Sequence, residues 1–159
     1  MQNVKSKGHG KISRDFGRML LRFWLSKDGF EFSGIRHPGI HLIVRNPHTK
    51  ENMGILVSCR TRTKGKEAEC ITVHARAYDN FSDACNAEGC TPYFAFVVDS
   101  PTIMRAFIIS QNRFVELCRP RTKPGFYWEM GDNHLSKYGA YEDIKTFQLK
   151  TETIRWWAD

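Results

Sequence analysis

The sequence predicts a mixed α/β domain with helices packed on a central β-sheet. Three observations carry that expectation. Apolar residues recur at helical spacing near the N-terminus. A series of short apolar strands separated by turn signals begins near residue 30. A second helical period falls between two of those strands. The 159 residues, 41% hydrophobic and 26% charged, suit one globular unit large enough to fold without disulfides or structural metal.

Residues 1–11 read as a flexible basic tail, and residues 12–159 as the single domain. Ser13 is the expected N-cap of the first helix, with Asp15 in its first turn. Ile12, Phe16, Met19, Leu20, Phe23 and Trp24 form its apolar face, and Gly29 ends it. Arg14, Arg18 and Arg22 recur every four residues and make a cationic stripe beside that face. Residues 30–34 alternate as a strand, and His37-Pro38-Gly39 marks a turn. Residues 40–44 are apolar on both parities except at His41, as in a strand covered on both faces. Residues 53–62 follow as its hairpin partner after a polar turn. Residues 68–75 fit either a strand or the approach to a helix.

Residues 78–89 have helical character, with Phe81, Ala84, Cys85 and Ala87 inward. Strands are expected over 93–98, 103–109 and 114–117, with Gln111-Asn112 as a turn. Residues 119–140, rich in Pro, Gly, Arg and aromatics, read as an irregular surface loop. The cations and aromatics of 119–128 suit either stacking on unpaired bases or folding back onto the core. Residues 141–157 would add a strand or helix that buries Trp156 and Trp157.

The formal charge of +7 is unevenly distributed. Residues 1–66 hold 14 Lys/Arg against 4 Asp/Glu, a net of +10, and the remainder is slightly acidic. Such a field favours a polyanion, nucleic acid before an anionic membrane. No run approaches the roughly 18 apolar residues of a membrane span. The polar N-terminus lacks the apolar stretch of a secretory signal, and five cysteines without a CxxC pair suit free thiols, so the cytoplasm is the expected compartment. Neither Ser58 nor Ser110 sits in a G-x-S-x-G elbow.

Two segments carry a family resemblance. Gly34-Ile35-Arg36-His37-Pro38-Gly39-Ile40-His41-Leu42-Ile43-Val44 is followed, after a turn, by Gly54-Ile55-Leu56-Val57-Ser58-Cys59-Arg60-Thr61-Arg62. They resemble the core of the restriction-endonuclease-like, PD-(D/E)xK nuclease superfamily, and look most like small members related to Holliday-junction resolvases. The likeness covers residues 11–117 in order of elements. It implies a mixed central sheet flanked by helices. It also implies a site in which an Asp on one strand and a Glu-x-Lys on the next hold Mg²⁺ at a phosphate.

This chain departs from that pattern. His41 stands where the superfamily has Asp, and imidazole is a poor ligand for Mg²⁺. The Glu-x-Lys pair falls on Leu56-x-Ser58 or on Ser58-x-Arg60, and the second option keeps only a cation. His41, Ser58 and Arg60 are thus the degenerate counterparts of catalytic positions, with no metal ligand set and no cofactor expected. The expected function is nucleic-acid binding, with DNA foremost, by a pseudo-nuclease or an accessory subunit in repair, recombination or defence. The expected phosphate contacts are Arg14, Arg18, Arg22, Arg36, Arg45, Arg60, Arg62, Lys64 and Lys66. One alternative is an active nuclease using Mg²⁺ or Mn²⁺, with carboxylates supplied by Asp15, Glu31 or Glu69. Another is a protein-interaction module with no nucleic-acid role. His37, His41 and His48 together would suit Zn²⁺ or Mn²⁺. Pairing of two copies through a sheet edge or helix stays open.

Overall fold

A computed structural model describes residues 7–34, 37–62, 70–120 and 125–151. Its elements are α1 (His9–Lys27), β1 (Glu31–Ser33), β2 (Leu42–Arg45), β3 (Asn52–Thr61), β4 (Cys70–His74), α2 (Ala75–Glu88), β5 (Thr91–Asp99), β6 (Ile103–Ser110), α3 (Gln111–Leu117), β7 (Arg119–Pro120), β8 (Gly125–Glu129), α4 (Asp132–Ala140) and β9 (Lys145–Lys150). A six-stranded mixed sheet has the order β1-β2-β3-β5-β6-β9, and a three-stranded sheet the order β4-β8-β7. Within the large sheet β3 and β5 are parallel. Their crossover carries β4 and α2, as parallel neighbours require. The expected architecture, a mixed sheet flanked by helices, is present.

The sheet is apolar on both faces because each face has its own cover. On one side α1 lays Leu20, Leu21 and Leu25 onto Val44, Ile55, Val57, Ala95, Val97 and Ala106. On the other side Phe94, Phe96 and Phe107 meet Phe81 of α2, Phe114 of α3, Trp128 of β8 and Tyr138 of α4. Gly17 sets the depth of α1, since a Cβ there would lie 2.9 Å from Cys59 Cβ on β3. Gly29, at φ +79, ends the helix with Phe30 N donating to Leu25 O.

Several expectations are corrected. Helix α1 starts at His9 with Gly8 as N-cap, so residues 9–11 are helical and not tail, and Ser13 instead contacts His9 Nε2 from within the helix. The inward face of α1 is Gly17, Leu20, Leu21 and Leu25, whereas Ile12, Phe16, Met19 and Phe23 are 43–62% exposed. Two apolar stripes compete on this helix, and the close approach at Gly17 selects the one beside it. Residues 111–117 form a helix rather than a turn and strand, because Ser110 caps it by accepting from Arg113 N. Residues 125–140 form β8 and α4, not an irregular loop, and Trp128 is wholly buried. Trp156 and Trp157 lie outside the described residues. No helix among the described residues is long and apolar enough to cross a membrane.

The exposed stripe has a simple consequence for stability. Ile12→Gln or Met19→Gln is expected to change unfolding free energy by less than about 0.5 kcal/mol, against about 3 kcal/mol for Leu21→Ala. Urea titration measures both.

Candidate nucleic-acid interface

Along β3, β2 pairs only with residues 52–55. Beyond Ile55 the β2-facing edge of β3 has no strand neighbour among the described residues. His41 closes the ladder at that point. Its backbone N donates to Ile55 O, and its imidazole Nδ1 accepts from Val57 N at 2.9 Å. The imidazole thereby takes the place of the next strand residue and satisfies a backbone N–H that would otherwise lose its partner.

From there a cleft of about 620 Å³ runs to the carboxyl end of the parallel pair. Its walls come from the first turns of α1 (His9, Ser13, Arg14), from β3 (Leu56 to Thr61) and from β4 (Ile71 to His74), and His41 also lines it. His74, the N-cap residue of α2, and Ala77 also line it, so the positive end of that helix opens on the cleft. Arg14 and Arg60 are exposed cations in this lining. Among the described lining residues there is no Asp or Glu. A crevice at the carboxyl ends of parallel strands is where open α/β sheets generally take ligands.

His41 is half-buried. Burial first, and then the Arg18 guanidinium, lower its pKa from 6.5 to about 4. The ring is therefore neutral at neutral pH. Above pH 6.5 both folded and unfolded states carry it uncharged, and between 6.5 and 4 only the unfolded state takes up the proton. Stability should fall across that window by on the order of 1–2 kcal/mol, discounting the shift for the ring's solvent exposure. The difference in urea midpoint between the native chain and His41→Gln, followed from pH 7 to pH 4, isolates this contribution.

The sequence-predicted residues divide as follows. His41, Ser58, Arg60 and Arg14 come together in the cleft, and Arg18 reaches His41 from α1. Arg22 lies over the Phe32 ring, 5.4 Å from its centroid. Arg45 is exposed at the far end of β2, opposite Glu31 of the edge strand. Arg62 departs from the expectation of a free surface cation. It is 8% exposed and its Nη1 meets Asp132 Oδ1 at 2.6 Å. Arg36, Lys64, Lys66 and Glu69 lie outside the described residues, as do Arg121 and Lys123. Asp15 is exposed on α1, Glu31 is exposed on β1, and neither lines the cleft.

The three-histidine metal reading is corrected. His37 Nδ1 accepts from Gly39 N, while His48 sits in the β2–β3 turn at the opposite end of β2 from His41. The strand between them separates the last two by more than about 10 Å. No group of three or more metal-ligating side chains occurs among the described residues. Burial pushes the thiol of Cys59 up to about 11 and those of Cys85 and Cys118 up to about 12, so none is an activated nucleophile. His9 and His74 were not legible as site residues. The glycines flanking His9 mask the true helix start, and nothing local to His74 marks it.

This architecture, a mixed sheet with a parallel central pair and a cleft at its carboxyl end, is a restriction-endonuclease-like fold. Among solved structures the chain is similar to Hjc, a Holliday junction resolvase from the archaeal hyperthermophile Archaeoglobus fulgidus. The TM-score is 0.52 at 15% identity over 78% of this chain and 88% of that one. It is also similar to a restriction endonuclease in complex with substrate DNA, with TM-score 0.41 at 14% identity over 94% of this chain and 74% of that one. No protein-family model matches the sequence, and no curated protein matches it.

Proposed function

We propose that the chain is a DNA-binding protein on a nuclease-type scaffold, taking the phosphate backbone into the cleft without metal-dependent cleavage. One observation carries the reading. The cleft lining holds Arg14, Arg60 and three histidines, with no Asp or Glu among its described residues. Mg²⁺ requires hard oxygen ligands, normally with one or two carboxylates. Phosphates require cations and N–H donors, which are abundant here. Loss of carboxylates also removes a repulsion against the nucleic acid. The likeness in fold to a resolvase supports nucleic acid as the polyanion, and we read the chain as a pseudo-nuclease or accessory subunit in repair, recombination or defence. The conventional cage does not fit these residues: the Nδ1 lone pair of His41 is taken by Val57 N, a guanidinium faces its Nε2, and Leu56, Ser58 and Arg60 supply no carboxylate.

The test is a paired assay. The purified chain should retain a duplex oligonucleotide at low salt and leave supercoiled plasmid intact with Mg²⁺ or Mn²⁺. Nicking that depends on either ion would overturn the non-cutting part, and absence of retention would overturn the binding part.

A further inference from the structure

His41 and Arg18 present a chemical mismatch. Arg18 Nη2 lies 3.0 Å from His41 Nε2, while Val57 N donates to Nδ1 of the same ring. A guanidinium and a backbone amide only donate, and a neutral imidazole has one acceptor nitrogen and one N–H. Two donors therefore face a ring that can accept from one. The Val57 N–H is fixed in β3 and cannot turn away, so it claims the lone pair on Nδ1, and the ring proton resides on Nε2. The Nε2–H and the Arg18 N–H then meet with no acceptor between them. The buried Arg18 Nε likewise has no hydrogen-bond partner among the described residues.

Unmatched donors at a partly buried site call for an anionic oxygen. We propose that His41 and Arg18 form a two-point receptor for one phosphate group, in which a single oxygen accepts from His41 Nε2–H and from the Arg18 guanidinium. An oxygen roughly 2.9 Å from each nitrogen closes a triangle with their observed separation, at ordinary hydrogen-bond lengths. The ring takes part as a neutral donor and no metal ion is needed. Arg14 and Arg60 border the same cleft, where they would meet neighbouring phosphates of the backbone, and the α2 N-terminus opens on it. This deepens the reading of the cleft as a phosphate-binding site and rests on it: it names the donors that hold one particular phosphate.

The experiment uses the full chain labelled with ¹⁵N-histidine, inorganic phosphate as the probe, and duplex binding measured in parallel. Without ligand, His41 should show the Nε2–H tautomer at neutral pH. Phosphate should shift its Nε2 resonance saturably. Arg18→Gln should weaken phosphate binding roughly tenfold, the loss expected for one charge-assisted bond. Arg18→Lys, which keeps the charge and the helix, should recover part of it. A protonated Nδ1, or no saturable Nε2 shift while duplex still binds, would overturn the receptor and leave the cleft reading intact. Loss of both phosphate and duplex binding would overturn the two together. An equal response to phosphate in Arg18→Gln and the native chain would mean that the anion sits elsewhere, and would also refute the receptor.

Discussion

Replacing Arg14, Arg18 and Arg60 together by glutamate is expected to lower duplex affinity roughly 100-fold or more at about 0.1 M salt. Arg14 and Arg60 line the cleft and Arg18 contacts its histidine. Reversing them removes three cations and adds three anions where phosphates would lie. Arg22→Glu and Arg45→Glu are the matched controls, because one residue packs over Phe32 and the other lies at the end of β2 away from the cleft. Each should cost less than about threefold, the effect of a distant charge screened by salt. Anisotropy titration with a labelled duplex measures all of them. Equal losses at the cleft and control positions would mean that binding follows net charge and not the cleft. Arg62 is unsuitable for such a series, since its buried guanidinium pairs with Asp132 and its removal perturbs folding.

Trp128→Ala is the substitution expected to damage the fold most. Its indole is fully buried, with ring centroids 3.8 Å from Tyr138 and 4.6 Å from Phe96. It joins the small sheet to the large one, so truncation opens a cavity at their junction. The cost should be about 3–5 kcal/mol, read as a lower urea midpoint at unchanged slope. Trp128→Phe should cost much less. The Trp128 Nε1 is buried without a hydrogen-bond partner among the described residues, and phenylalanine removes that donor while keeping most of the packing. If the Ala and Phe variants were equally damaged, the packing account of this junction would fail.

Much of the large sheet was readable because its strands are short apolar runs with clear turn signals. β2, β3, β5 and β6 lie within a residue or two of their expected places. The hairpin turn is legible for a local reason, since Asn46 Oδ1 accepts from His48 N and Thr49 N. What misled was tertiary. Phe114, Val115 and Leu117 look like a strand, yet a seven-residue helix capped by Ser110 places Phe114 in the core. The Pro and Gly density of 119–140 hides the short strand that carries Trp128. On α1 the more regular apolar stripe is the exposed one, because depth is set by Gly17 meeting β3 across 42 residues of chain.

The site was legible in part for the same reasons. His41 lies just before β2, and Ser58 and Arg60 lie on the neighbouring β3, so the hairpin read from the local sequence brings them together. The contact between Arg18 and His41 depends on how α1 crosses the sheet, which helical period alone does not give. Arg62 continues the parity of Ser58 and Arg60 in sequence, but it lies just past the end of β3 and turns inward to Asp132.

The salt dependence of duplex binding reaches the central claim by the shortest route. Log affinity should fall linearly with log salt, with a slope of about −3 or steeper if Arg14, Arg18 and Arg60 each neutralise a phosphate, and the triple glutamate variant should lose most of that slope. Binding insensitive to salt, or an unchanged slope in the triple variant, would contradict a phosphate-holding cleft.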